Sequence, residues 1–249
     1  MEAKDRIVLP LDVDNISKAT VLVRGLREHV GFFKIGLEFI YSMLASIITP
    51  PLEEAYLNLG SIRDLFMLTD KHNFLDGKLA DIPNTVGGAS VAISRMGVTM
   101  FNVHASSGKE AIAKAVVNKG NSLVLGVTVL TSIGSEECVS IFGDKPGPKV
   151  LQFAKMLAEL KADGIICSPQ ELELLGQQSE LKELLRVTPG VRPLWAATGD
   201  QKRVMTPGEA IKAGASYLVI GRPITQPPAE IGSPVEAAKK IAEEIAGAI

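Results

Sequence analysis

Short apolar runs alternate with longer amphipathic stretches along the whole chain. The apolar runs are mostly continuous, which is typical of parallel strands that are buried on both faces. Eight of them are predicted to be strands: Arg6–Asp12, Phe32–Gly36, Asn73–Lys78, Thr99–His104, Ser122–Leu130, Gly164–Ser168, Arg186–Val191 and Tyr217–Arg222. Helical patterns such as Lys145–Leu160 and Pro234–Ala248 lie between them. Eight strand–helix units in 249 residues predict an α/β fold, a single (β/α)8 TIM barrel.

An open, doubly wound sheet is the structural alternative, but no G-x-G-x-x-G motif follows the first strand to support it. Pro10 is awkward inside the first strand, because proline has no N–H to donate to a neighbouring strand. Ser107 and Ser135 are expected to cap helices, and Pro207 and Pro234 are expected in first turns.

One connection in the chain is long. Residues Leu37–His72 separate the second and third strands, and the segment Ile48-Thr49-Pro50-Pro51 breaks the helical pattern within them. We expect two helices there, joined at the Pro-Pro step. No domain boundary, repeat or low-complexity segment is visible, so residues 1–249 are predicted to form one domain with an extended crossover at about 37–72.

Composition narrows the class of protein without identifying a function. The net charge is −2 and no basic or acidic block occurs, so we expect neither a nucleic-acid surface nor a membrane surface. A small anionic substrate stays possible, because a local cationic pocket does not need a basic protein. Cys138 and Cys167 lack metal-ligand spacing, and the N-terminus lacks the apolar core of a signal peptide. The sequence therefore predicts a cytoplasmic protein with reduced thiols and no metal site.

Polar residues recur where the predicted strands end. They are Asp12, Lys34, Asp76, Lys78, His104, Thr131 and Arg222. The carboxyl ends of the strands carry the active site of a barrel, so several charged groups on this rim predict a site there. For any single residue, the alternative is that strand ends are polar because they meet solvent. We interpret His104 as a structural histidine, because no carboxylate partner for it is evident.

The most informative segment is Asp76-Gly77-Lys78-Leu79-Ala80-Asp81. Side chains two apart on a strand face the same side, so Asp76 and Lys78 are predicted to lie together near the barrel mouth. Asp81 is predicted to lie in the following loop. An alternating array of carboxylates and ammonium groups holds a lysine protonated and orients it. A structural ion-pair network perturbs pKa values just as strongly and is the alternative.

With its continuation Ile82-Pro83-Asn84-Thr85-Val86, this segment resembles the signature of the orotidine 5'-phosphate decarboxylase family, D-x-K-x-x-D-I-P-N-T at the end of the third strand. Seven matches occur in the order of the family. The other six are Val8-Leu9-Pro10-Leu11-Asp12, Phe33-Lys34-Ile35-Gly36, Val103-His104-Ala105-Ser106, Val127-Thr128-Val129-Leu130-Thr131-Ser132, Thr188-Pro189-Gly190-Val191-Arg192-Pro193 with Gly199-Asp200-Gln201, and Ile220-Gly221-Arg222-Pro223.

The resemblance implies decarboxylation of orotidine 5'-phosphate to uridine 5'-phosphate in pyrimidine biosynthesis, without a cofactor. Carbon C6 must then carry negative charge, and a fixed cation is the natural device to stabilise it. The resemblance assigns Lys78 as the cation that stabilises C6 and protonates it, and Asp76 as the charge beside the departing carboxylate. Lys34 and Asp81 are expected to orient this pair and to contact the ribose.

Phosphate in barrels often binds the loops after strands seven and eight. There, Gly221 lets the backbone approach a ligand closely, and Arg222 offers a charged fork. A simple strand-to-helix turn is the alternative. By resemblance, Arg192 and Gln201 join them on the phosphate side, and the segment Arg192–Arg203 is expected to close over the ligand. The further expected substrate contacts are Asp12 at the ribose, Thr131 or else Ser132 at the pyrimidine, and Pro189.

The resemblance also implies a homodimer, in which Asp81, Ile82 and Thr85 complete the partner's site. The sequence pattern itself does not show dimerisation. Two departures from the family occur: the crossover at 37–72 is longer than usual, and Gly77 and Ala80 stand where many relatives carry Leu and His.

Two rival interpretations stay open. Hexulose-phosphate synthases and ketogulonate-phosphate decarboxylases share D-x-K-x-x-D but use magnesium. They usually lack both the lysine of Lys34-Ile35-Gly36 and the Ile-Pro-Asn-Thr continuation, which are present here. A catalytically silent phosphate-binding barrel is the other rival, and the intact lysines and aspartates argue against it.

Overall fold

The computed structural model describes residues 1–70, 72–196 and 205–249. Within this part of the chain, parallel strands follow one another around a closed barrel, and β1 pairs with both β2 and β8. The strands are β1 (Ile7–Pro10), β2 (Phe32–Gly36), β3 (Asn73–Leu79), β4 (Met100–His104), β5 (Leu123–Val127), β6 (Gly164–Ile166), β7 (Leu185–Pro189) and β8 (Tyr217–Val219). The predicted eight-stranded barrel is confirmed.

Helices alternate with the strands and cover the outside of the barrel. They are α1 (Ile16–Leu26), α2 (Leu37–Ile48), α3 (Leu52–Leu68), α4 (Pro83–Arg95), α5 (Lys109–Val117), α6 (Ser135–Phe142), α7 (Pro146–Glu159), α8 (Leu172–Gly176), α9 (Pro207–Lys212), α10 (Arg222–Thr225) and α11 (Pro234–Ala246). Short 3-10 turns occupy Lys4–Arg6, Ala105–Ser107, Pro169–Glu171 and Ser179–Leu181. None of the described helices is long and apolar enough to cross a membrane.

The proline positions were predicted correctly, whereas the serine caps were not. Pro207 and Pro234 begin α9 and α11 behind capping boxes. Ser135 lies inside α6, whose N-cap is Gly134, and Ser107 ends a 3-10 turn before Gly108. Glycine supplies no side-chain oxygen, so neither helix has a side-chain cap of the predicted kind.

The long crossover contains the two predicted helices. α2 ends at Ile48 and α3 begins at Leu52, with Pro50 and Pro51 in the turn. α3 packs against α1 and α2, but the outer faces of α2 and α3 stay exposed. Large apolar side chains on these faces are Tyr41, Leu44, Ile48, Leu52, Tyr56, Leu57 and Met67.

Inside the barrel, the strands build two successive layers of inward-facing side chains. The lower layer is an apolar floor, made of Val8, Phe32, Phe74, Met100, Leu125 and Val187. Because the side-chain period of a strand is two, the next inward positions lie one layer nearer the carboxyl ends. That upper layer holds Pro10, Lys34, Asp76, Asn102, Val127 and Pro189. The polar residues of the barrel interior therefore rest directly on the apolar floor.

The predicted strands run too far at several carboxyl ends. β1 ends at Pro10, β5 at Val127 and β8 at Val219, whereas the apolar runs continue for two to three residues. Pro10 is tolerated because it is the last residue of its strand. Asp12 and Arg222 consequently lie just beyond the barrel, in the connections that form its mouth.

Candidate active site

A cavity of about 320 Å³ opens at the carboxyl ends of the strands. Nine of the residues predicted from the sequence line it: Asp12, Lys34, Asp76, Lys78, Thr131, Pro189, Arg192, Gly221 and Arg222. They come from the ends of β1, β2, β3, β5, β7 and β8, or from the residues that follow these strands. The residues predicted at the strand ends therefore surround one space, although they lie far apart in the sequence.

Asp76 is the centre of a charged array at the base of this cavity. Its two carboxylate oxygens contact different lysines: Oδ2 lies 2.9 Å from Nζ of Lys34, and Oδ1 lies 2.7 Å from Nζ of Lys78. The outer carboxylate of Asp12 lies 3.5 Å from Lys34 Nζ. Asp76 is buried, while the side chain of Lys78 is 29% exposed, so the lysine reaches toward the open space.

The array keeps Asp76 and Lys34 ionised. Burial alone raises the pKa of Asp76, but the nearby charges of Lys34 and Lys78 outweigh it and lower the pKa overall. Burial alone lowers the pKa of Lys34, but the charges of Asp76 and Asp12 outweigh it and raise the pKa overall. At neutral pH the site therefore contains a buried carboxylate between ammonium groups.

Lys78 does not occupy a regular strand position. Its φ is +48°, in the left-handed region that non-glycine residues rarely adopt. The pairing of β3 with β4 shifts register between Leu75 and Leu79, which marks a bulge. The prediction that Asp76 and Lys78 lie together is met, but its stated reason, regular strand alternation, is wrong. The bulge is what turns Lys78 back toward Asp76.

Asn102 is a residue of this site that sequence reasoning missed. It is completely buried in the middle of β4 and contacts both Asp76 and the backbone of Lys78. The available signal was a polar residue inside the apolar run Met100–Val103, two positions after Met100 and therefore on the same face.

Two arginines flank the mouth after β7 and β8. Arg192 is buried, and its guanidinium Nη1 donates to the carbonyl of Val191 at 3.3 Å. Arg222 is exposed and opens α10 directly after Gly221. A Cβ at Gly221 would lie 2.9 Å from Cγ of Pro10, so glycine allows the end of β8 to approach β1 closely. Together with the lysines, these arginines make the cavity suited to an anion.

Three predicted residues lie elsewhere on this chain. Asp81, Ile82 and Thr85 are exposed and do not line the cavity. Asp81 accepts a hydrogen bond from the backbone of Ile82 at 2.7 Å, and the apolar side chain of Ile82 is 66% exposed. Gln201, with the rest of 197–203 in the predicted closing segment, lies outside the described residues. Ser132 lines a neighbouring depression together with Thr131.

His104 and Cys167 are reactive residue types near the array. The pKa of His104 is lowered, first by burial and then by the positive charge of Lys78, so the imidazole is neutral at pH 7. His104 does not line the cavity, and its structural role stays a prediction. Burial raises the pKa of Cys167 to about 12, so this cavity-lining residue is a thiol rather than a thiolate.

Potential metal ligands do not cluster in the described part of the chain. Among residues 1–70, 72–196 and 205–249, no three His, Cys, Asp or Glu side chains come together as a group that could hold a metal ion. That the protein works without a metal ion stays a prediction, which treatment with a chelator tests.

Comparison with known proteins places these features in a family. The model of the orotidine 5'-phosphate decarboxylase / HUMPS family matches residues 5–241. The chain is 41% identical to the orotidine 5'-phosphate decarboxylase of Heliobacterium modesticaldum, over 99% of this chain and 98% of the relative. It is 40% identical to the enzyme of the same name from Syntrophomonas wolfei, over 98% of this chain and 99% of the relative.

A solved structure agrees with the sequence matches. The crystal structure of orotidine 5'-phosphate decarboxylase from Lactobacillus acidophilus superimposes with a TM-score of 0.74 at 30% identity, covering 96% of this chain and 98% of that one. The family match extends over nearly the entire chain and includes the strands that carry the charged array. This chain belongs to the orotidine 5'-phosphate decarboxylase / HUMPS family.

Proposed function

We propose that this protein converts orotidine 5'-phosphate to uridine 5'-phosphate and CO2, without a metal or an organic cofactor, on a single barrel domain of residues 1–249. The full-length relatives named for this reaction support the proposal. The observation that carries it is the Lys34–Asp76–Lys78 array at the base of an otherwise largely apolar cavity. The step belongs to the biosynthesis of pyrimidine nucleotides.

The chemistry centres on Lys78. The bond between C6 and the carboxylate breaks, CO2 leaves, and the electron pair stays on C6. The ammonium group of Lys78 stabilises that charge and then transfers a proton from Nζ to C6. A cation already held in place needs no reorganisation during the reaction, and this lowers the barrier. Asp76 orients this ammonium group, since its Oδ1 lies 2.7 Å from Nζ.

Asp76 has a second role, at the leaving group. When C6 lies beside Lys78, the carboxylate bonded to C6 also lies beside the Asp76 carboxylate. Like charges in contact disfavour the bound ground state relative to the neutral product CO2. Lys34, 2.9 Å from Asp76, keeps that carboxylate ionised and in position.

The arginine side of the cavity binds the phosphate. Arg192, Gly221 and Arg222 lie there, and Gln201 joins them by resemblance to the family. We assign Asp12 and Lys34, which line the same cavity, to the ribose, and the lining residues Thr131 and Pro189 to the pyrimidine. Phosphate binding far from C6 supplies energy for orientation, so truncated substrates lose kcat as well as affinity.

The decisive assay measures decarboxylation of orotidine 5'-phosphate in metal-free buffer, for wild type and Lys78→Ala. We expect kcat to fall by at least about a thousandfold in the variant, because a preorganised charge is lost from the transition state. Lys109→Ala is the matched control, since Lys109 is an exposed lysine on α5 that pairs with Glu159. Its activity should equal that of wild type.

Two outcomes contradict the proposal. A near-normal kcat in Lys78→Ala would contradict the role of Lys78 in the reaction. Absence of turnover by the wild type would contradict the proposed function itself. A chelator separates the rivals within the family. Activity that EDTA abolishes and Mg2+ restores would indicate the magnesium-dependent branch.

The site is completed by a second subunit in this proposal. On a single chain Asp81, Ile82 and Thr85 are exposed and away from the cavity, and an exposed apolar residue such as Ile82 suits an interface. We propose that they reach the partner's cavity in a homodimer, as the family motif implies. Asp81 then extends the charged array from the other chain.

Subunit mixing tests this arrangement. Lys78→Ala and Asp81→Ala dimers are each prepared, then unfolded and refolded together at equal concentration. If Asp81 acts in the partner's site, half of the random dimers are mixed and one of their two sites is intact, so about a quarter of wild-type activity returns. If Asp81 acts within its own chain, or not at all, mixing restores nothing beyond the sum of the parents.

A further inference from the structure

We propose that Asn102 is a positioning residue of the active site, which sets the Lys78 ammonium group against Asp76 by holding the bulge at the end of β3. The inference rests on the proposed function, because it concerns how Lys78 and Asp76 are arranged for that reaction. Asn102 lies in the middle of β4, outside the motif that carries the chemistry.

The pairing of β3 with β4 shows where the bulge lies. Leu75 is opposite Phe101 and Leu79 is opposite Val103, so four steps along β3 face only two along β4. Asn102 is the single β4 residue opposite the bulged segment 76–78. The regular ladder between the strands is interrupted there, and a side chain must replace it.

Asn102 replaces that ladder with two hydrogen bonds. Its Oδ1 accepts from the backbone N–H of Lys78 at 2.7 Å, and its Nδ2 donates to Oδ1 of Asp76 at 2.6 Å. The same Asp76 oxygen accepts from Lys78 Nζ at 2.7 Å. One amide therefore fixes both ends of the catalytic contact: the backbone from which Lys78 projects and the carboxylate that orients its ammonium group.

An amide meets both requirements at this position without adding a charge. A left-handed backbone is unfavourable at a non-glycine residue, and the hydrogen bond to the Lys78 N–H offsets part of that cost. An apolar side chain of similar size would leave this N–H without its acceptor. An aspartate would place a second carboxylate against Asp76, and one of the two would then be protonated.

The test begins with Asn102→Ala and a matched control, Asn73→Ala. Asn73 is also a buried asparagine, but it is the first residue of β3, and its side chain lies on the opposite face of the strand from Phe74 and Asp76. We expect kcat of Asn102→Ala to fall about a hundredfold with KM changed less than about threefold, because small misplacement of a reacting group has this effect. Asn73→Ala should keep the wild-type kcat.

Asn102→Asp provides a readout that a purely structural role would not move. When the introduced carboxyl group is protonated, its O–H donates to Asp76 and its C=O accepts from Lys78, as the amide does. When that group is ionised, it repels Asp76. We therefore expect the kcat of this variant to fall as pH rises, with a titration that wild type lacks. If Asn102→Ala does not fold, this pH profile decides alone.

The outcomes separate cleanly. If the wild type is active and Asn102→Ala keeps its kcat, this inference is overturned and the proposed function stays intact. The same holds if the kcat of Asn102→Asp does not change with pH. A wild type without turnover of orotidine 5'-phosphate overturns the proposed function instead. A crystal structure of Asn102→Ala adds an independent readout, since we expect the left-handed φ of Lys78 to be lost.

Discussion

Two lysine–aspartate contacts in this protein differ in what surrounds them. Lys119 lies against both oxygens of Asp163 at the amino ends of β5 and β6, and Asp163 also accepts from the backbone of Val124. The two charges of that pair neutralise each other, and the pair lies at the end of the barrel away from the cavity. Asp76 instead divides its two oxygens between Lys34 and Lys78, so each ammonium group keeps donors for a ligand.

The absence of a side chain at Gly36 leaves space for the Lys34 ammonium group. A Cβ at this position would lie 2.9 Å from Lys34 Nζ and 3.4 Å from Oδ1 of Asp12. We expect Gly36→Ala to push the flexible end of Lys34 aside and to lower kcat/KM about tenfold or more. The melting temperature should change little, because the backbone is extended here and alanine adopts it readily.

The control for this variant is Gly25→Ala. Gly25 lies in α1 with nothing near the position of a new Cβ, so its kcat/KM should match wild type. Equal activity of Gly36→Ala and Gly25→Ala would show that the contact with Lys34 does not matter.

At the scale of elements, the barrel and its helices followed from the sequence more readily than their ends did. Continuous apolar runs mark buried parallel strands well. They do not mark where strand pairing stops, because buried loop residues such as Val129 are as apolar as the strand before them.

Asn102 was missed for a related reason, since one asparagine in an apolar run has no pattern until the inward face of β4 is known. The bulge leaves no hydrophobic signal, because the segment from Asp76 to Lys78 contains two charged residues and a glycine.

Packing of helix α7 onto strand β5 depends on a missing side chain. The position of a Cβ on Gly126 is already occupied by the side chain of Leu157. We expect Gly126→Ala to destabilise the fold by about 1–3 kcal/mol, as overpacking of a core does. Urea unfolding of the variant and of wild type measures the difference.

Gly60→Ala is the contrasting case in the same assay. Gly60 lies in α3 with open space around it, so alanine should stabilise the protein by about 0.5–1 kcal/mol through helix propensity. If the two substitutions changed stability in the same direction, packing of Leu157 would not be the controlling factor at Gly126.

At the scale of the whole molecule, the array contributes to stability over a defined pH range. The pKa of Asp76 is lowered in the fold, so its contribution is present above the unfolded pKa of about 3.9 and is lost as pH falls through the folded value. The pKa of Lys34 is raised, so its contribution is present below about 10.4 and is lost as pH rises through the folded value.

Asp76→Asn tests this dependence. At pH 7 we expect a loss of about 3 kcal/mol, because a buried ammonium group loses its principal partner. The difference from wild type should shrink as pH falls below about 4, where the carboxyl group of the unfolded wild type takes up a proton, and it should be lost below the lowered pKa of the folded Asp76. Asp14→Asn, on an exposed pair with Lys18, is the control and should leave the unfolding free energy nearly unchanged at both pH values. A difference that did not vary with pH would exclude the charge of Asp76 as its source.

The apolar floor of the barrel determines where protons enter. Phe32, Phe74 and Met100 close the space beneath the array, so within the described part of the chain exchange with bulk water runs through the mouth. In the proposed reaction the nucleotide fills that mouth at the moment Lys78 has given up its proton. Lys78 is therefore reprotonated only after the product departs, so release of the nucleotide controls renewal of the acid in each cycle.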